Sequence, residues 1–245
     1  MTTLMLGVGE PFSSPPFNSN FVVFSSATGA AVPEQDTQDY IKRACRYARQ
    51  FGVYLVPERF VLMGYQSMCL ISPEGRALGV QKALHLRPGG DGQKQSVVLE
   101  IISTEFGGIF LCVDSDIYHP QVARIAHSLG AHILIASQQL AQGEHNNRRV
   151  LSGVWSAAQG NALYAVGVCN KFNCVSAPRA LTQRNDGFVV PPNLKMPMTA
   201  EIAAEELHRV PPRPALNRRF YEVHRQDLTG QSGYEELQKD EQRPE

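Results

Sequence analysis

Cys112 precedes two acidic residues, Asp114 and Asp116, in the stretch "FLCVDSDIYHP" of residues 110–120. A thiol at the end of a strand can attack an acyl or nitrile carbon when a carboxylate takes its proton and a cation stabilises the oxyanion that develops. The stretch is therefore compatible with a hydrolytic site. It is also compatible with a buried strand cysteine before a polar turn, since free cysteine is among the most buried residue types.

The same turn suggests a second chemistry, a metal site built from Asp114, Asp116, His119 and His85. Carboxylate oxygens and imidazole nitrogens are ligands that manganese, iron or zinc accept. Two acids and a histidine in a turn are more often a solvated or helix-capping set, so we expect no metal and no cofactor. The sequence also contains no C-x-x-C, P-loop or G-x-G-x-x-G motif.

The elements that would position these residues alternate between strands and helices. Pro120 suits the first turn of a helix and Gly130 can end it, so residues 110–137 are predicted as strand, turn, helix and strand. A further helix is predicted over 37–52, capped by Thr37 or Asp36, and residues 148–164 are predicted as mostly helical. Apolar, strand-type runs occupy 21–24, 96–104, 131–137, 165–171, 187–191 and 198–202. This alternation indicates an α/β fold with a mixed sheet or pair of sheets.

The amino-acid composition limits the classes of partner that we expect for the chain. Lys plus Arg and Asp plus Glu both total 23 in the 245 residues, so the formal net charge is zero and the basic field typical of nucleic-acid binding is absent. No apolar run is long enough to span a bilayer and no secretory signal is recognisable, so we expect no membrane partner. Five widely spaced cysteines, an odd number, favour a reduced cytoplasmic protein. We predict one domain over 1–227, followed by a polar, disordered tail over 228–245.

Several segments, taken in order, resemble the nitrilase superfamily, the carbon–nitrogen hydrolases. They are "YLVPERF", "CLISPEGRALGVQKALHL", "DSDIYHPQVARIAHSLGAHILIAS", "SGVWSAAQGNALYAVGVCNK" and "MTAEI". The similarity in spacing and order runs from about residue 20 to 225. It implies a four-layer α-β-β-α sandwich that dimerises by extending the sandwich. It also implies a triad of Cys nucleophile, Glu general base and Lys oxyanion donor.

The family's cysteine position can be placed in two ways. A gapless match anchored on Pro120 and Arg124 puts it on Asp114, so that the family's C-x-D is D-S-D here. Matching Cys112 instead requires a two-residue insertion before the proline. Cys112 and Asp114 lie on the same side of an ideal strand, so Cys112 could still face a pocket. We prefer the gapless alignment and interpret Cys112 as a buried strand residue.

The lysine and glutamate positions depart from the pattern as well. Counted from His85, the lysine position holds Ala83, and the adjacent Lys82 would need a β-bulge to reach the same face. The glutamate position holds Ser26. The segment between "LMLGVG" and "FVVF" is too short for the family's usual helix, so the N-terminal unit is interpreted as eroded.

Two functions follow from the resemblance. The first is a relative that has lost catalysis, with Ser26, Ala83 and Asp114 at the triad positions, and that acts as a binding or regulatory protein. The second is an active amidase-type hydrolase with Cys112 as nucleophile, Lys82 as oxyanion donor and an unplaced acid as base. In both cases we expect a homodimer, with a small-molecule ligand as a further candidate partner.

Overall fold

The computed structural model describes most of the chain up to residue 210, in the ranges 3–25, 28–87, 92–141, 147–193 and 196–210. These residues belong to one unit comprising residues 1–211. Ser26, the predicted domain end at residue 227 and the predicted tail 228–245 lie outside the described residues.

The described strands and helices follow the alternation expected from the sequence. The strands are β1 (Leu4–Gly9), β2 (Phe21–Phe24), β3 (Tyr54–Val56), β4 (Phe60–Leu62), β5 (Tyr65–Ile71), β6 (Ala77–Lys82), β7 (Ile102–Thr104), β8 (Gly107–Val113), β9 (Ala131–Gln138), β10 (Tyr164–Cys169), β11 (Asn173–Ser176), β12 (Phe188–Asn193) and β13 (Met198–Ile202). The helices are α1 (Glu34–Phe51), α2 (Pro120–Ser128), α3 (Asn147–Val150) and α4 (Ser156–Asn161). Short 3-10 segments occupy Asp114–Tyr118, Arg179–Leu181 and Ala204–Arg209, and a π-helical turn, Leu151–Trp155, joins α3 to α4.

The strands form two mixed sheets. One has the order β13-β1-β2-β3-β5-β4, with β6 also paired to β5, and the other has the order β12-β11-β10-β9-β8-β7. In each sheet the central strands are parallel, β1 to β2 to β3 in the first and β8 to β9 to β10 in the second. In each sheet the parallel central strands end along one edge, β2 in the first sheet and β8 and β9 in the second, and loops there can bring side chains together.

Three apolar cores define four layers. The first lies between the sheets and joins residues such as Leu6 and Val23 of one sheet to Leu111 and Val166 of the other. The second packs the outer face of β8–β11 against α2, the π-turn and α4. The third packs the outer face of the first sheet against α1. The predicted α-β-β-α sandwich is confirmed.

Helix α1 starts earlier than predicted. It begins at Glu34 after Pro33, and Thr37 lies inside its first turns, so the predicted cap at Thr37 or Asp36 is wrong. The Thr37 Oγ1 atom instead lies 3.0 Å from the Pro33 carbonyl oxygen and 2.8 Å from that of Val61, and its single O–H can donate to either. Tertiary contact with β4 therefore uses the hydroxyl that the sequence suggested as a cap.

Two other predicted elements are shorter than expected. The helix over 148–164 contains a π-turn and ends at Ala162, whose left-handed backbone (φ 50°) turns the chain into β10. The strand predicted over 96–104 is regular only at Ile102–Thr104. Before it, the Gln81 side chain replaces ladder bonds, because Nε2 donates to the Val98 carbonyl (3.0 Å) and Oε1 accepts from the Glu100 N–H (3.0 Å).

The connection between β1 and β2 has no helix, although the two strands are parallel neighbours. The Asn20 side chain ties the connection to β1, since Oδ1 accepts from the Met5 N–H at 2.8 Å. Gly7 is required here, because a Cβ at this position would lie 2.2 Å from the Ser19 hydroxyl oxygen. The connection therefore packs against β1. No helix among the described residues is long and apolar enough to cross a membrane.

Candidate functional site

The polar turn after β8 begins at Asp114, where the chain leaves the sheet abruptly. Asp114 has a left-handed backbone conformation (φ 50°), which costs conformational energy in a residue other than glycine, although Asp tolerates it better than most. A 3-10 segment continues to Tyr118, and Pro120 then starts α2. The strand, sharp turn and helix resemble an elbow that would present a nucleophile, and the residue at its tip is Asp114.

The Asp114 carboxylate is buried and held by two arginines. Its Oδ1 lies 3.0 Å from Arg59 Nη1 and 3.0 Å from Arg87 Nη2, and its Oδ2 lies 2.5 Å from Arg87 Nε. Oδ1 also accepts the backbone N–H of Gln139 at 3.0 Å. Arg87 therefore binds the carboxylate through two nitrogens, a geometry that strengthens the pair and fixes its orientation. Asp114 is the centre of an ion cluster, which we define as Arg59, Arg87 and Asp114.

Arg59 is the most buried member of the ion cluster, with 2% of its side chain exposed. Its Nη1 also donates to Gln66 Oε1 at 2.7 Å, and its Nη2 donates to the Gly29 carbonyl. Burial lowers the pKa of the guanidinium, and the charge of Asp114 opposes that shift. Its Nε is buried without a hydrogen-bond partner among the described residues.

Asp116, two residues further on, is held by hydrogen bonds from one loop. Its oxygens accept the backbone N–H groups of Leu84 and His85 at 3.0 and 2.8 Å, and Oδ1 lies 3.0 Å from His85 Nδ1. Burial raises the pKa of Asp116, and these hydrogen bonds oppose the shift. The rings of His85 and His119 stack with centroids 3.6 Å apart, and burial lowers the pKa of His119.

These contacts argue against the metal-site hypothesis. Both oxygens of Asp116 are already used by the 84–85 loop, and those of Asp114 are used by the ion cluster. Within the described ranges, no group of three or more His, Cys, Asp or Glu side chains is arranged to hold a metal ion.

Cys112 lies on the opposite face of β8 from the core between the sheets. Its neighbours Leu111 and Val113 point into that core, whereas Cys112 packs with Phe110 and Ala136 in the core beneath α2 and α4. The thiol is fully buried. Burial, followed by the charges of Asp116 and Asp114, raises its pKa well above the ordinary value. The thiol therefore meets the conditions of a structural cysteine rather than of an activated one.

Among the described residues, no ion pair joins Lys82 to the elbow, and Ala83 carries no charge. Ala83 is buried in the core between the sheets, and Lys82 Nζ lies 4.5 Å from the centre of the Tyr65 ring. A bulge at Lys82 is not found, since β5 and β6 pair regularly from Ser67–Lys82 to Leu70–Gly79 and their register shifts only beyond Leu70. The bulge that would have turned Lys82 to the Ala83 face is thus excluded.

A small cleft lies beside the ion cluster. Its accessible volume is about 10 Å³, the room of roughly one water molecule. Arg59 lines it and Asp114 does not; the lining residues are Phe24, Ser25, Gly29, Ala30, Glu58, Arg59, Ser137, Gln138, Val168 and Cys169.

Among the polar residues of this cleft that were not predicted from the sequence are Glu58, Ser25 and Arg59. Glu58 Oε2 lies 3.2 Å from the Tyr40 hydroxyl, and burial followed by the Glu58 charge raises the Tyr40 pKa. Ser25 donates to Asn173 Oδ1 at 2.9 Å. An adjacent acid and base directly after the strand β3, in "VPER", is the sequence signal that could have drawn attention to Glu58 and Arg59.

Cys169 ends β10 at the wall of the cleft. Its Sγ accepts the backbone N–H groups of Lys171 and Phe172 at 3.3 and 3.2 Å, and the thiol donates to the Phe172 carbonyl at 3.3 Å. Burial raises its pKa, while the two N–H bonds and the charges of Lys171 and Arg59 oppose the shift. Cys169 is not among the site residues predicted from the sequence.

Comparison with known proteins identifies the fold. No protein-family model and no curated protein matches the chain. Among solved structures, it is similar to a carbon–nitrogen hydrolase from Helicobacter pylori G27, with 16% identity, 91% of this chain and 94% of the other covered, and a TM-score of 0.67. It is also similar to an amidase from Nesterenkonia sp., with 14% identity, 91% and 95% coverage, and a TM-score of 0.65. A variant of that amidase is described as belonging to the nitrilase superfamily. These similarities show that the chain has the nitrilase-type fold.

Proposed function

We propose that the chain is a relative of the carbon–nitrogen hydrolases that has lost catalysis and acts as a binding or regulatory protein. The observation that carries the proposal is the ion cluster, in which Asp114 at the elbow is bound by Arg59 and Arg87. In one mutant structure of the Nesterenkonia amidase, the acetamide moiety of fluoroacetamide is covalently added at the active-site cysteine. In this chain, a structural ion cluster takes the place of such a nucleophile.

The chemistry of the ion cluster supports this interpretation. A carboxylate is a poor nucleophile toward an amide, and here the oxygens of Asp114 are engaged by two cations and a backbone N–H. Attack on an amide or nitrile also requires a donor for the developing charge and a base for the proton. Ala83 supplies neither, and Ser26 lies outside the described residues.

The size of the cleft favours binding through a surface over binding in a pocket. Small-molecule sites usually enclose about 300–1,000 Å³. The cleft beside Arg59 has room for roughly one water molecule. A small-molecule ligand would therefore need the cleft to open, whereas a macromolecular partner would not.

Activity measurements test the loss of catalysis. Purified protein is incubated with aliphatic amides, N-carbamoyl compounds and nitriles, alongside the variants Cys112→Ser and Asp114→Asn. We expect no turnover above the no-enzyme rate in any of them. Turnover by the wild type that either substitution abolishes would overturn the proposal.

Thiol labelling separates the proposal from the alternative, an active amidase that uses Cys112 with Lys82. Native protein is treated with iodoacetamide near neutral pH, and the modified residues are mapped by peptide mass spectrometry. The buried, high-pKa thiol of Cys112 should stay unmodified until the protein is denatured, whereas the partly exposed Cys45 should react. Preferential native labelling of Cys112 would favour the amidase.

We further propose a homodimer formed through the outer helical layer. Ile125 and Leu129 lie one helical turn apart along α2 and its end, with 49% and 58% of their surface exposed, which supports an interface there. Light scattering should give twice the chain mass of 27.0 kDa, and Ile125→Asp should reduce it to one chain. Leu78→Asp, a comparably exposed position on β6, is the control and should remain dimeric. A monomeric wild type at micromolar concentration would disprove this assembly.

A reduced cytoplasmic setting is proposed on the state of the cysteines. All five are unpaired in the structure. Fractionation of cells with an antibody against the chain should recover it with cytoplasmic markers, and recovery with secreted proteins would contradict the assignment.

A further inference from the structure

The rings of His85 and His119 form a stacked pair between the loop 84–87 and the start of α2. Their centroids lie 3.6 Å apart and their planes differ by 10°. His119 directly precedes Pro120, the first residue of α2, and His85 lies in the loop that Asp116 binds. The pair therefore joins the loop to the elbow through a contact between two side chains of the type that titrates near neutral pH.

Apart from the stack, hydrogen bonds and ion pairs attach the 84–87 loop to the elbow. The N–H groups of Leu84 and His85 donate to the Asp116 carboxylate at 3.0 and 2.8 Å, and the Ser115 hydroxyl donates to the His85 carbonyl at 3.0 Å. Arg87, two residues further on, belongs to the ion cluster. A repulsion between the two rings therefore acts on the same loop that carries Arg87.

The two imidazoles of the pair have unequal surroundings. When His85 is protonated it forms an ion pair with Asp116, since its Nδ1 lies 3.0 Å from Asp116 Oδ1. His119 stacks on that ring, and as the N-cap residue of α2 it also meets the positive end of the helix dipole. Burial lowers the pKa of His119 and the charge of His85 lowers it further, while the charge of Asp116 opposes the shift.

The other charged groups near the pair have partners of their own. Within the ion cluster, Arg87 binds Asp114. On α3, the Arg149 guanidinium lies over the ring of Tyr118, 4.7 Å from its centre. On α2 itself, Arg124 acts on His127, whose pKa it lowers. The interaction between His85, His119 and Asp116 therefore dominates the electrostatics of the stack.

We propose that the stacked pair is an acid-sensitive switch, in which protonation of His119 beside a protonated His85 weakens the attachment of the 84–87 loop to the elbow. Two parallel imidazolium rings in contact repel each other, whereas one imidazolium and one neutral ring do not. Movement of the loop away from α2 separates the two charges and returns His119 to solvent. The switch thus couples the surrounding pH to the loop that holds Arg87 against Asp114.

The direction of the pH effect follows from proton linkage at His119. In the attached state its pKa lies below the ordinary histidine value, and in the released state it returns to about 6.5. The released state therefore binds the proton at a higher pH than the attached state. The attachment is at full strength above about pH 6.5 and weakens by up to about tenfold per pH unit below it, until the pKa of the attached state is reached.

Hydrogen exchange of the full-length protein at about pH 7.5 and about pH 5.5 tests the switch, with each rate corrected for the intrinsic pH dependence of amide exchange. The amides of Leu84 and His85 should lose about tenfold in protection at the lower pH, because they donate to Asp116 across the attachment. The Gly75 amide, which donates to the Ser72 carbonyl at 2.8 Å in the turn before β6, is the internal control and should keep its protection.

Two glutamine variants show whether His119 carries the effect. His119→Gln cannot titrate, so the corrected protection of Leu84 and His85 should be the same at both pH values. His208→Gln changes an exposed histidine outside the elbow and the 84–87 loop and should keep the wild-type pH dependence. Wild-type protection that does not change with pH, or a change that persists in His119→Gln, would overturn the switch.

A direct titration decides the question if His119→Gln does not fold. Wild-type protein is labelled with isotopes in its histidines, and the ring signals are assigned through single variants of the other six of its seven histidines. The His119 signal should titrate below the ordinary histidine pKa of about 6.5. Titration at or above that value would show that the stack does not oppose the second proton.

Discussion

Asp114 and Asp116 are two buried carboxylates in the same 3-10 segment, and their environments differ completely. Asp114 is neutralised by cations, with Arg59 at 3.0 Å and Arg87 at 2.5 Å. Asp116 meets no arginine or lysine in the described ion pairs and is held by backbone N–H groups and one imidazole of the 84–85 loop. The first joins separate strand ends through charge, and the second fastens one loop through hydrogen bonds.

The difference shows how the elbow can be kept without a nucleophile. Removing one partner from a buried ion pair leaves an uncompensated charge, which costs far more than the pair itself contributes. The ion cluster therefore makes Asp114 hard to replace for structural reasons alone. Asp116 binds the loop that carries Ala83 and His85 to the elbow. This contact does not depend on which residue occupies the tip of the elbow.

The largest expected effect is that of Asp114→Asn. The substitution leaves Arg59 and Arg87 without their counter-charge, and we expect the free energy of unfolding to fall by about 3–5 kcal/mol. Urea unfolding at pH 7 measures it. Asp39→Asn is the control, since Asp39 is 86% exposed in a surface pair with Lys42 and should have no measurable effect. Equal stability of both variants would show that the ion cluster does not form.

Asp116→Asn should have a smaller effect. The carboxamide can accept through one oxygen only, so one of the N–H groups of Leu84 and His85 loses its acceptor, at a cost of about 1–3 kcal/mol. The same urea measurement applies, and hydrogen exchange at Leu84 and His85 should become faster. A decrease in the free energy of unfolding as large as that caused by Asp114→Asn would contradict the proposed difference between the two carboxylates.

Arg87→Lys probes the ion cluster more gently. Lysine keeps the charge but replaces two hydrogen bonds to Asp114 with one, and the site is 30% exposed, so we expect a loss of about 1 kcal/mol. The measured order should be Asp114→Asn, then Asp116→Asn, then Arg87→Lys. If Arg87→Lys lowers the free energy of unfolding more than Asp114→Asn does, Arg87 stabilises the protein mainly through contacts outside the ion cluster.

The smallest effect is a pH dependence of Asp116. Its pKa is raised in the folded state, so the folded protein binds this proton at a higher pH than the unfolded chain. The resulting stabilisation is fully present below the unfolded pKa, about 3.9, and is lost as pH rises through the folded pKa. The stability advantage of the wild type over Asp116→Asn should therefore grow as pH falls from 7 toward 4. A constant difference would mean that the pKa of Asp116 is not raised.

Most strands and helices were predictable because their signals are local. Apolar runs and helical spacing gave the strands and helices, and landmarks such as Pro120 and Gly130 fixed the unit around the elbow. Errors arose where a long-range contact overrode a local preference. Thr37 bonds to the Val61 carbonyl of β4 and so does not cap α1. Gln81 binds the 98–100 backbone in place of a strand ladder.

The turn after β8 was predictable from the sequence, but the partners of its side chains were not. The landmarks placed Asp114 at the elbow and Ala83 near it, and both were candidates in the sequence. They did not reveal the partners of Asp114, since Arg87 lies 27 residues away in sequence and Arg59 still further. Glu58 and Cys169 were missed because only the packing of separate strands brings them to one cleft.

The sequence by itself determined most of the elements and the residue types at each strand end, because periodicity and turn residues act over a few positions. The four-layer arrangement was expected from the resemblance to the nitrilase superfamily. Only the tertiary structure decided which face of β8 carries Cys112, which cations hold Asp114, and that Arg59 and Cys169 line one small cleft. These outcomes depend on charge pairing and burial between strands far apart in the chain, and both exist only once the two sheets have packed.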